Sequence, residues 1–427
     1  MTTLQTNRID EIESCVRQAA EAAKTASRTL ARASTEVKNR ALQHAAVCLR
    51  EKKEWITAEN QIDLQAGEAK GLSAAMLDRL ALTDKRIDAM IQVLDEVRAL
   101  PDPVGEINEL RVRPSGIKVG RMRVPLGVIG MIYESRPNVT LDAAALCLKS
   151  GNACLLRGGS EAIHSNTALA LLMQDALEAA GLPRAGVSFM TLTDREVVRQ
   201  MCRMKGLLDV IIPRGGKSLI ETVVDCAVIP VLKHYDGNCH VYIDEHADPV
   251  MAHRVCMNAK VQRPGVCNAA ETFLIHEKRT GDFLTGLIED LMKHGVEIRG
   301  CERMRALHPH LKPASPADWD VEYLDLIVAM KIGSSLDEAL DHIARHSSAH
   351  TDAIVTNDYA AANRFLREVD SSSVMVNAST RFSDGGEYGL GTEMGISTDK
   401  LHARGPMGLR ELTCEKFIVL GDGQIRE

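Results

Sequence analysis

The sequence predicts an α/β protein with two doubly wound domains and a β-hairpin set apart from them. Three observations carry this. Strand-like apolar runs alternate with helical patterns after Pro125, and a second such block follows Pro230; this is the grammar of parallel sheets covered on both faces. Between residues 8 and 100 the pattern is helical throughout. Alternating residues flank a polar Pro114-Ser115-Gly116 turn, which reads as a hairpin. At 427 residues the chain exceeds what one simple core accommodates.

The elements follow in order. "IDEIESCVRQAAEAAKTASRTLARAS" is Ala-rich, repeats its apolar residues every three or four positions and lacks Pro and Gly, so it is helical. "LSAAMLDRLALTDKRIDAMIQVLDEVRAL" follows the same rule and stops before Pro101 and Pro103. "LRVRPSGIKVGRMRVP" is the hairpin. "GVIGMIY", "ACLLR", "GVSFMTL" and "LLDVIIP" are the strands of the first block, with helices between them; "CHVYID", "AETFLIH", "VEIRG", "LDLIVAM", "TDAIVTN" and "SSSVMVN" are those of the second. Residues 378–409 are Gly-rich and irregular, as functional loops are. "CEKFIVL" is a last strand. Ligands of such sheets are expected at the carboxyl ends of the strands.

Composition narrows the function. A net charge of −7 with only 3% aromatic residues offers neither the basic face nor the stacking rings of a nucleic-acid binder. No apolar run approaches the ~18 residues of a membrane span, and the start of the chain lacks a secretory pattern. The cysteines number 11, scattered and without a Cys-x-x-Cys pair, so structural zinc and dithiol chemistry are not expected, and a reducing, cytoplasmic setting is.

Several short stretches can carry chemistry. Cys267 follows Pro264-Gly265 and precedes a strand, with Arg263 nearby, a setting in which a thiolate can be favoured. Its competitor is Cys256, which lies in a helical stretch and suits packing. In "DVIIPRGGKSLI" a strand runs into Arg214, Gly215, Gly216, Lys217 and Ser218. Glycines at a helix start admit a phosphate, but the glycine that a P-loop needs five residues before Gly216 is replaced by Ile211. A dinucleotide phosphate and a plain turn both remain open. "ACLLRGGSEA" repeats the arrangement with Arg157, Gly158, Gly159 and Ser160; the cation can face a ribose phosphate, or Ser160 can be a helix cap. His234 and His240 flank Cys239 without the companion pair that zinc would need.

Taken together, "VPLGVIGMIYESRPNVTLDAAALCLKSGNACLLRGGSEA", "VQRPGVCNAAET", "VMVNASTRFSDGGEYGLGTEMGIST" and "KLHARGPMGLRELT" resemble the aldehyde dehydrogenase superfamily over nearly the whole chain, and within it the branch that reduces an acyl phosphate. The resemblance implies an aldehyde dehydrogenase-like fold. Residues 1–110 with 127–235 form the cofactor-binding domain, and 236–403 the catalytic domain. Residues 111–126 with 404–427 form an oligomerisation hairpin and strand.

It implies NADPH-dependent reduction of L-glutamyl 5-phosphate to L-glutamate 5-semialdehyde and phosphate, in proline biosynthesis, with no metal. Cys267 falls on the catalytic cysteine, Arg157 on the cofactor-ribose lysine, Arg214 to Ser218 on the second phosphate loop, and Glu322 on the nicotinamide-ribose glutamate. Asn138 can supply the oxyanion amide, although an ungapped match puts Glu134 there. Arg136, Arg263 and Arg381 are candidates for the anionic substrate. The resemblance also implies a homo-oligomer, with association with a glutamate kinase left open.

The chain departs from hydrolytic members. "HYDGNC", with His234, stands where they carry the glutamate of Glu-Leu-Gly-Gly. A hydrolytic semialdehyde dehydrogenase and a non-catalytic protein on the same scaffold are the rival readings.

Overall fold

The computed structural model describes residues 3–426. The chain begins with helices α1 (Thr3–Leu30), α2 (Thr35–Glu51), α3 (Lys53–Ala69), α4 (Ala74–Leu80) and α5 (Asp84–Ala99). Strands β1 (Ile107–Val112), β2 (Lys118–Pro125) and β3 (Val128–Tyr133) follow, then α6 (Asn138–Lys149), β4 (Ala153–Arg157), α7 (Ile163–Ala179), β5 (Val187–Phe189), α8 (Glu196–Arg203), β6 (Val210–Arg214) and α9 (Lys217–Cys226). Next come β7 (Cys239–Ile243), α10 (Pro249–Val261), β8 (Ala270–His276), α11 (Asp282–Lys293), β9 (Glu297–Gly300), α12 (Glu302–Leu307), β10 (Lys312–Pro313) and β11 (Ile327–Gly333). The chain ends with α13 (Leu336–His346), β12 (Thr351–Val355), α14 (Tyr359–Glu368), β13 (Ser373–Val376), the short β14 (Ile396–Ser397) and β15 (Gly405–Pro406), and β16 (Thr413–Leu420).

Two compact units emerge. The first holds the chain up to Lys233, together with Gly389–Gly395 and the segment from Met407 onward. Its helices start where short polar side chains accept first-turn N–H groups: Ser34 from Val37, Ser73 from Met76 and Thr83 from Arg86. In α5 the buried residues Ile87, Met90, Ile91, Leu94 and Val97 keep the three- and four-residue spacing of one helix face. The parallel sheet of this unit runs β5-β4-β3-β6. The chain leaves β3 in one direction and returns to its other side with β6, so the crevice beyond the carboxyl ends of β3 and β6 is the topological switch point.

The hairpin β1–β2 pairs with β16 in a three-stranded antiparallel sheet, Thr413 opposite Pro125 through Leu420 opposite Lys118. β1 starts four residues earlier than the sequence reading has it. A bulge between Asn108 and Arg111, with Glu109 at φ 57°, breaks the alternation on which that reading relied.

The second unit spans His234–Tyr388 and Ile396–Pro406. Its sheet runs β10-β9-β11-β8-β7-β12-β13, parallel throughout. Side chains alternate between two cores. Val241, Ile243, Phe273, Ile275, Ala353 and Val355 face Val255 of α10 and Leu284, Leu287 and Leu291 of α11. Tyr242, Leu274 and Ile354 face the other way, toward Leu340 and Ile343 of α13 and Phe365 of α14. A strand apolar on both faces therefore reads as a continuous run, which is why "CHVYID" and "AETFLIH" are legible as parallel strands. No helix among the described residues is long and apolar enough to cross a membrane.

Candidate active site

In the second unit, Cys267 occupies a turn from Val266 to Ala269, closed by the Ala269 N–H on the Val266 carbonyl at 3.0 Å. β8 begins one residue later. The side chain is half-buried. Two features fix its backbone from below. Cys239 donates its thiol hydrogen to the Cys267 carbonyl at 3.2 Å. Burial, foremost, pushes the Cys239 pKa well above that of an ordinary thiol, so it stays a donor. Gly237 lies so close that a Cβ there would stand 2.0 Å from the Cys267 carbonyl oxygen.

From the side, Asn268 clamps the turn to residues 381–383. Its amide donates to the Ser383 carbonyl at 2.9 Å and its oxygen accepts from the Arg381 guanidinium. Arg381 also donates to Gln262 at 2.8 Å. Burial and the neighbouring Arg263 charge lower the Arg381 pKa, and the sulfur of Cys267 acts in the opposite direction. Two of the three sequence-predicted substrate arginines, Arg263 and Arg381, are thus gathered at the cysteine. An anionic substrate group would relieve their mutual repulsion. Arg381→Ala is expected to lower kcat/KM for an anionic substrate roughly 10–100-fold, the worth of a charge-assisted hydrogen bond, chiefly through KM. Steady-state kinetics checks it.

The Cys267 turn lies at the amino ends of the strands, and this corrects the general expectation for parallel sheets. Cys239 opens β7, Ala270 opens β8 and His350 precedes β12. Cys256, the competing thiol, is fully buried among the side chains packed under the sheet, and burial raises its pKa strongly. His240 is not a companion of His234. It is fully buried, with Nδ1 2.9 Å from an Asp352 carboxylate oxygen. His350 takes that place instead: donor atoms of His234, Cys267 and His350 lie within 4.8 Å of one another. Sequence reading missed His350, because no spacing links positions 234, 267 and 350. Only the parallel pairing of β12 with β7 and β7 with β8 does.

Glu322 sits in the loop before β11, where its charge acts on Cys239 and on the buried Glu271. Burial, foremost, raises the Glu271 pKa to about 7, and the Lys260 ammonium 2.5 Å away offsets part of that rise.

In the first unit, the predicted loops do stand at carboxyl strand ends. Arg157 ends β4 and is 8% exposed. One guanidinium nitrogen donates to the Thr193 carbonyl at 3.0 Å, while the buried Nε has no hydrogen-bond partner. Gly158 and Gly159 follow; a Cβ on Gly159 would meet the Glu161 carboxylate at 2.1 Å. Ser160 is not the cap of the following helix. Asp63 of α3 performs that task, accepting the N–H groups of His164 and Ser165 at 3.1 and 2.8 Å. A carboxylate from a distant helix leaves no local signal at Ser160.

At the second loop Arg214 ends β6 and donates to the Glu393 carbonyl at 3.2 Å. Gly215, Gly216, Lys217 and Ser218 are exposed, and α9 starts without a side-chain cap. The Gly216 N–H donates to the Glu134 carboxylate at 3.0 Å, so an anionic oxygen already fits this helix start. Arg136 and Asn138 follow β3 at the same switch point. The Asn138 amide donates to Asp142 at 2.8 Å. Asp142 has its pKa raised to about 6, by burial first, with Arg214 and Asn138 opposing.

A half-buried cysteine on a glycine-backed turn, in a chain with glycine loops at the ends of strands of a doubly wound sheet, is an arrangement that an α/β enzyme using a thiol could employ. The comparisons make it specific. Residues 7–299 match the model of the aldehyde dehydrogenase family. A gamma-glutamyl phosphate reductase of Thermodesulfovibrio yellowstonii is 52% identical, over 98% of this chain and 100% of its own length. One from Caldanaerobacter subterraneus is 53% identical, over 96% and 99%. The crystal structure of the Thermotoga maritima gamma-glutamyl phosphate reductase superposes with a TM-score of 0.94 at 48% identity, covering 96% of this chain and 100% of that one. The chain belongs to the aldehyde dehydrogenase family, in the branch of these reductases.

Proposed function

We propose that this protein reduces L-glutamyl 5-phosphate to L-glutamate 5-semialdehyde, releasing phosphate, with NADPH as donor and within proline biosynthesis. The observation that carries the reading is the anchored Cys267 turn with Arg263 and Arg381 beside it, in a chain about half identical to named reductases of that substrate over their full length.

The residues of the first unit suit a nicotinamide nucleotide. The unpartnered Nε of buried Arg157 can take a ribose or phosphate oxygen. A Cβ on Gly215 would stand 2.4 Å from the Glu134 carboxylate, so glycine lets that carboxylate stay against this helix start. Arg157, Gly158, Gly159 and Ser160 would hold the adenosine end and Arg214, Gly215, Gly216, Lys217 and Ser218 the pyrophosphate; Glu322, a residue of the second unit, is the candidate for the nicotinamide ribose. The bound nucleotide supplies a hydride. NADP⁺ is bound in an engineered glycolyl-CoA reductase of the same fold, at 14% identity. Arg157→Ala is expected to weaken NADPH roughly tenfold or more while changing NADH less, since a lost charged hydrogen bond costs on that order; fluorescence titration of both nucleotides checks it.

The chain's own chemistry follows. Cys267 loses its proton and its sulfur attacks the γ-carbonyl; the C–O bond to phosphate breaks, and the phosphate leaves toward Arg263 and Arg381. The resulting thioester is a far better hydride acceptor than a carboxylate. After reduction, the thiohemiacetal oxyanion can be met by the Cys267 N–H, and the Asn138 amide is the candidate second donor. Loss of one such donor typically costs ~10²–10³ in rate. Glu134 is a poorer candidate for this task, because a carboxylate holding the Gly216 N–H is an acceptor. Collapse returns the thiolate and the aldehyde. No water need be activated, which fits a chain with His234 where hydrolytic members carry their glutamate.

The three-stranded sheet leaves Ile107, Leu110, Val112, Phe417, Val419 and Leu420 exposed. An apolar sheet of this kind with a β16 edge suits pairing with a second copy.

The test is NADP⁺ reduction with L-glutamate 5-semialdehyde, with and without phosphate. Strict dependence on phosphate is expected; equal rates without it would indicate hydrolysis and remove the acyl phosphate from the reaction.

A further inference from the structure

We propose that His234, Cys267 and His350 form a binding site for a thiophilic divalent cation, zinc above all, and that its occupation reversibly silences the nucleophile. The inhibition rests on the role given to Cys267 above; the site itself rests on the donor geometry alone.

Three donor atoms of soft or borderline character, one sulfur and two imidazole nitrogens, lie within 4.8 Å of one another. Around a tetrahedral zinc with bonds of about 2.0–2.3 Å, donors stand roughly 3.3–3.8 Å apart. Closure therefore needs a movement of at most about 1.5 Å between any two, within the reach of side-chain rotations. The imidazoles are held as metal ligands usually are, with one ring nitrogen anchored. His234 Nδ1 is 2.9 Å from the Ile396 carbonyl. That oxygen can only accept, so Nδ1 carries the hydrogen and the lone pair of the neutral ring is on Nε2.

His350 has Nδ1 at 2.8 Å from the Thr351 hydroxyl. The residue is fully buried, and its Nε2 has no hydrogen-bond partner. A buried nitrogen without a partner is costly unless something meets it. The two rings stand edge to face, 73° apart with centroids at 5.4 Å, so they do not stack and block each other. Cys239 and Gly237 pin the Cys267 backbone, so the sulfur moves only by rotation of its own side chain.

The neighbours set the selectivity. Arg263 and Arg381 repel a bare dication near the sulfur. Magnesium and calcium, which bind through oxygen and charge, have nothing to offset that repulsion. Zinc does, through the thiolate bond. On binding, Cys267 gives up its proton to solvent, each imidazole presents one ring nitrogen, and water completes the coordination. The lone pair that would attack the acyl phosphate is then committed to the metal.

The experiment titrates the purified, metal-stripped full-length chain with Co²⁺, following the near-ultraviolet thiolate-to-cobalt band, and then displaces it with Zn²⁺. One tight equivalent is expected for the wild type. Cys267→Ser should abolish the band. His350→Gln, and independently the half-exposed His234→Gln should the buried variant not fold, should weaken binding by at least about tenfold, in the range that disturbing a metal shell costs. Cys15→Ser, an exposed thiol on α1, should leave the band unchanged. Magnesium and calcium should not compete. Activity should fall with zinc occupancy and return on adding a chelator. A wild type without the band, or a band indifferent to Cys267→Ser and to both histidine variants, overturns the site. A band with the expected variant losses but full activity at zinc saturation upholds the site and instead overturns Cys267 as nucleophile.

Discussion

Cys267→Ala is expected to lower turnover of glutamate 5-semialdehyde by on the order of 10⁴–10⁶, as removal of a covalent nucleophile does elsewhere, with nucleotide affinity unchanged. The reason is chemical. A carboxyl phosphate can in principle accept hydride directly, but only against an acyl oxygen that still donates into the carbonyl. The sulfur of a thioester donates poorly, and without it the reduction must pass in one difficult step. The structure offers no substitute at the turn. Cys239 is buried, holds its proton and donates it to the Cys267 carbonyl. Cys256 lies in the core beneath the sheet. Cys256→Ala is accordingly expected to affect stability and leave the rate per folded molecule near that of the wild type. Steady-state assays with nucleotide titrations on both variants check the pair.

Gly237→Ala is expected to cost about 10² or more in kcat, without touching the chemistry of any reacting group. The added Cβ would stand 2.0 Å from the Cys267 carbonyl oxygen and 2.5 Å from its Cα. Both are backbone atoms, so no side-chain rotation relieves the contact. The Cys267 turn must move by about an ångström, and a displacement of that size at a reacting centre typically costs ~10² in rate. NADPH affinity should stay near the wild-type value, because the nucleotide loops belong to the other unit. A variant with intact NADPH binding, near-native circular dichroism and kcat within a factor of two of the wild type would show that the turn tolerates the shift.

Much of the architecture was legible because both faces of each parallel sheet are covered. Apolar runs such as "GVIGMIY" and "AETFLIH" then have no polar alternation to blur them, and β3 and β8 are buried along their whole length. Cys267, Arg157 and the 214–218 loop were singled out as candidates by local signals: glycines and a cation or thiol beside a strand. What sequence reading could not find was brought together by strand order. His350 reaches Cys267 only through β12, β7 and β8, and Asp63 caps a helix about a hundred residues away. The position of the Cys267 turn at amino strand ends likewise follows from which end of β8 it precedes, and the general rule for parallel sheets points to the opposite end. Gly237 was invisible for another reason. Its role depends on backbone contact with Cys267, and a glycine in "YDGNC" looks like any turn.

The account turns on a covalent glutamyl thioester at Cys267 that phosphate, not water, resolves. The direct measurement is a rapid-mixing experiment with glutamate 5-semialdehyde and excess NADP⁺ in phosphate-free buffer, followed by acid quench and mass spectrometry of the Cys267 peptide. A single equivalent of NADPH per site, with one glutamyl acyl group on that peptide and steady turnover only after phosphate is added, is the predicted result. Continuous NADPH formation without phosphate, or an acyl group on another residue, would contradict it.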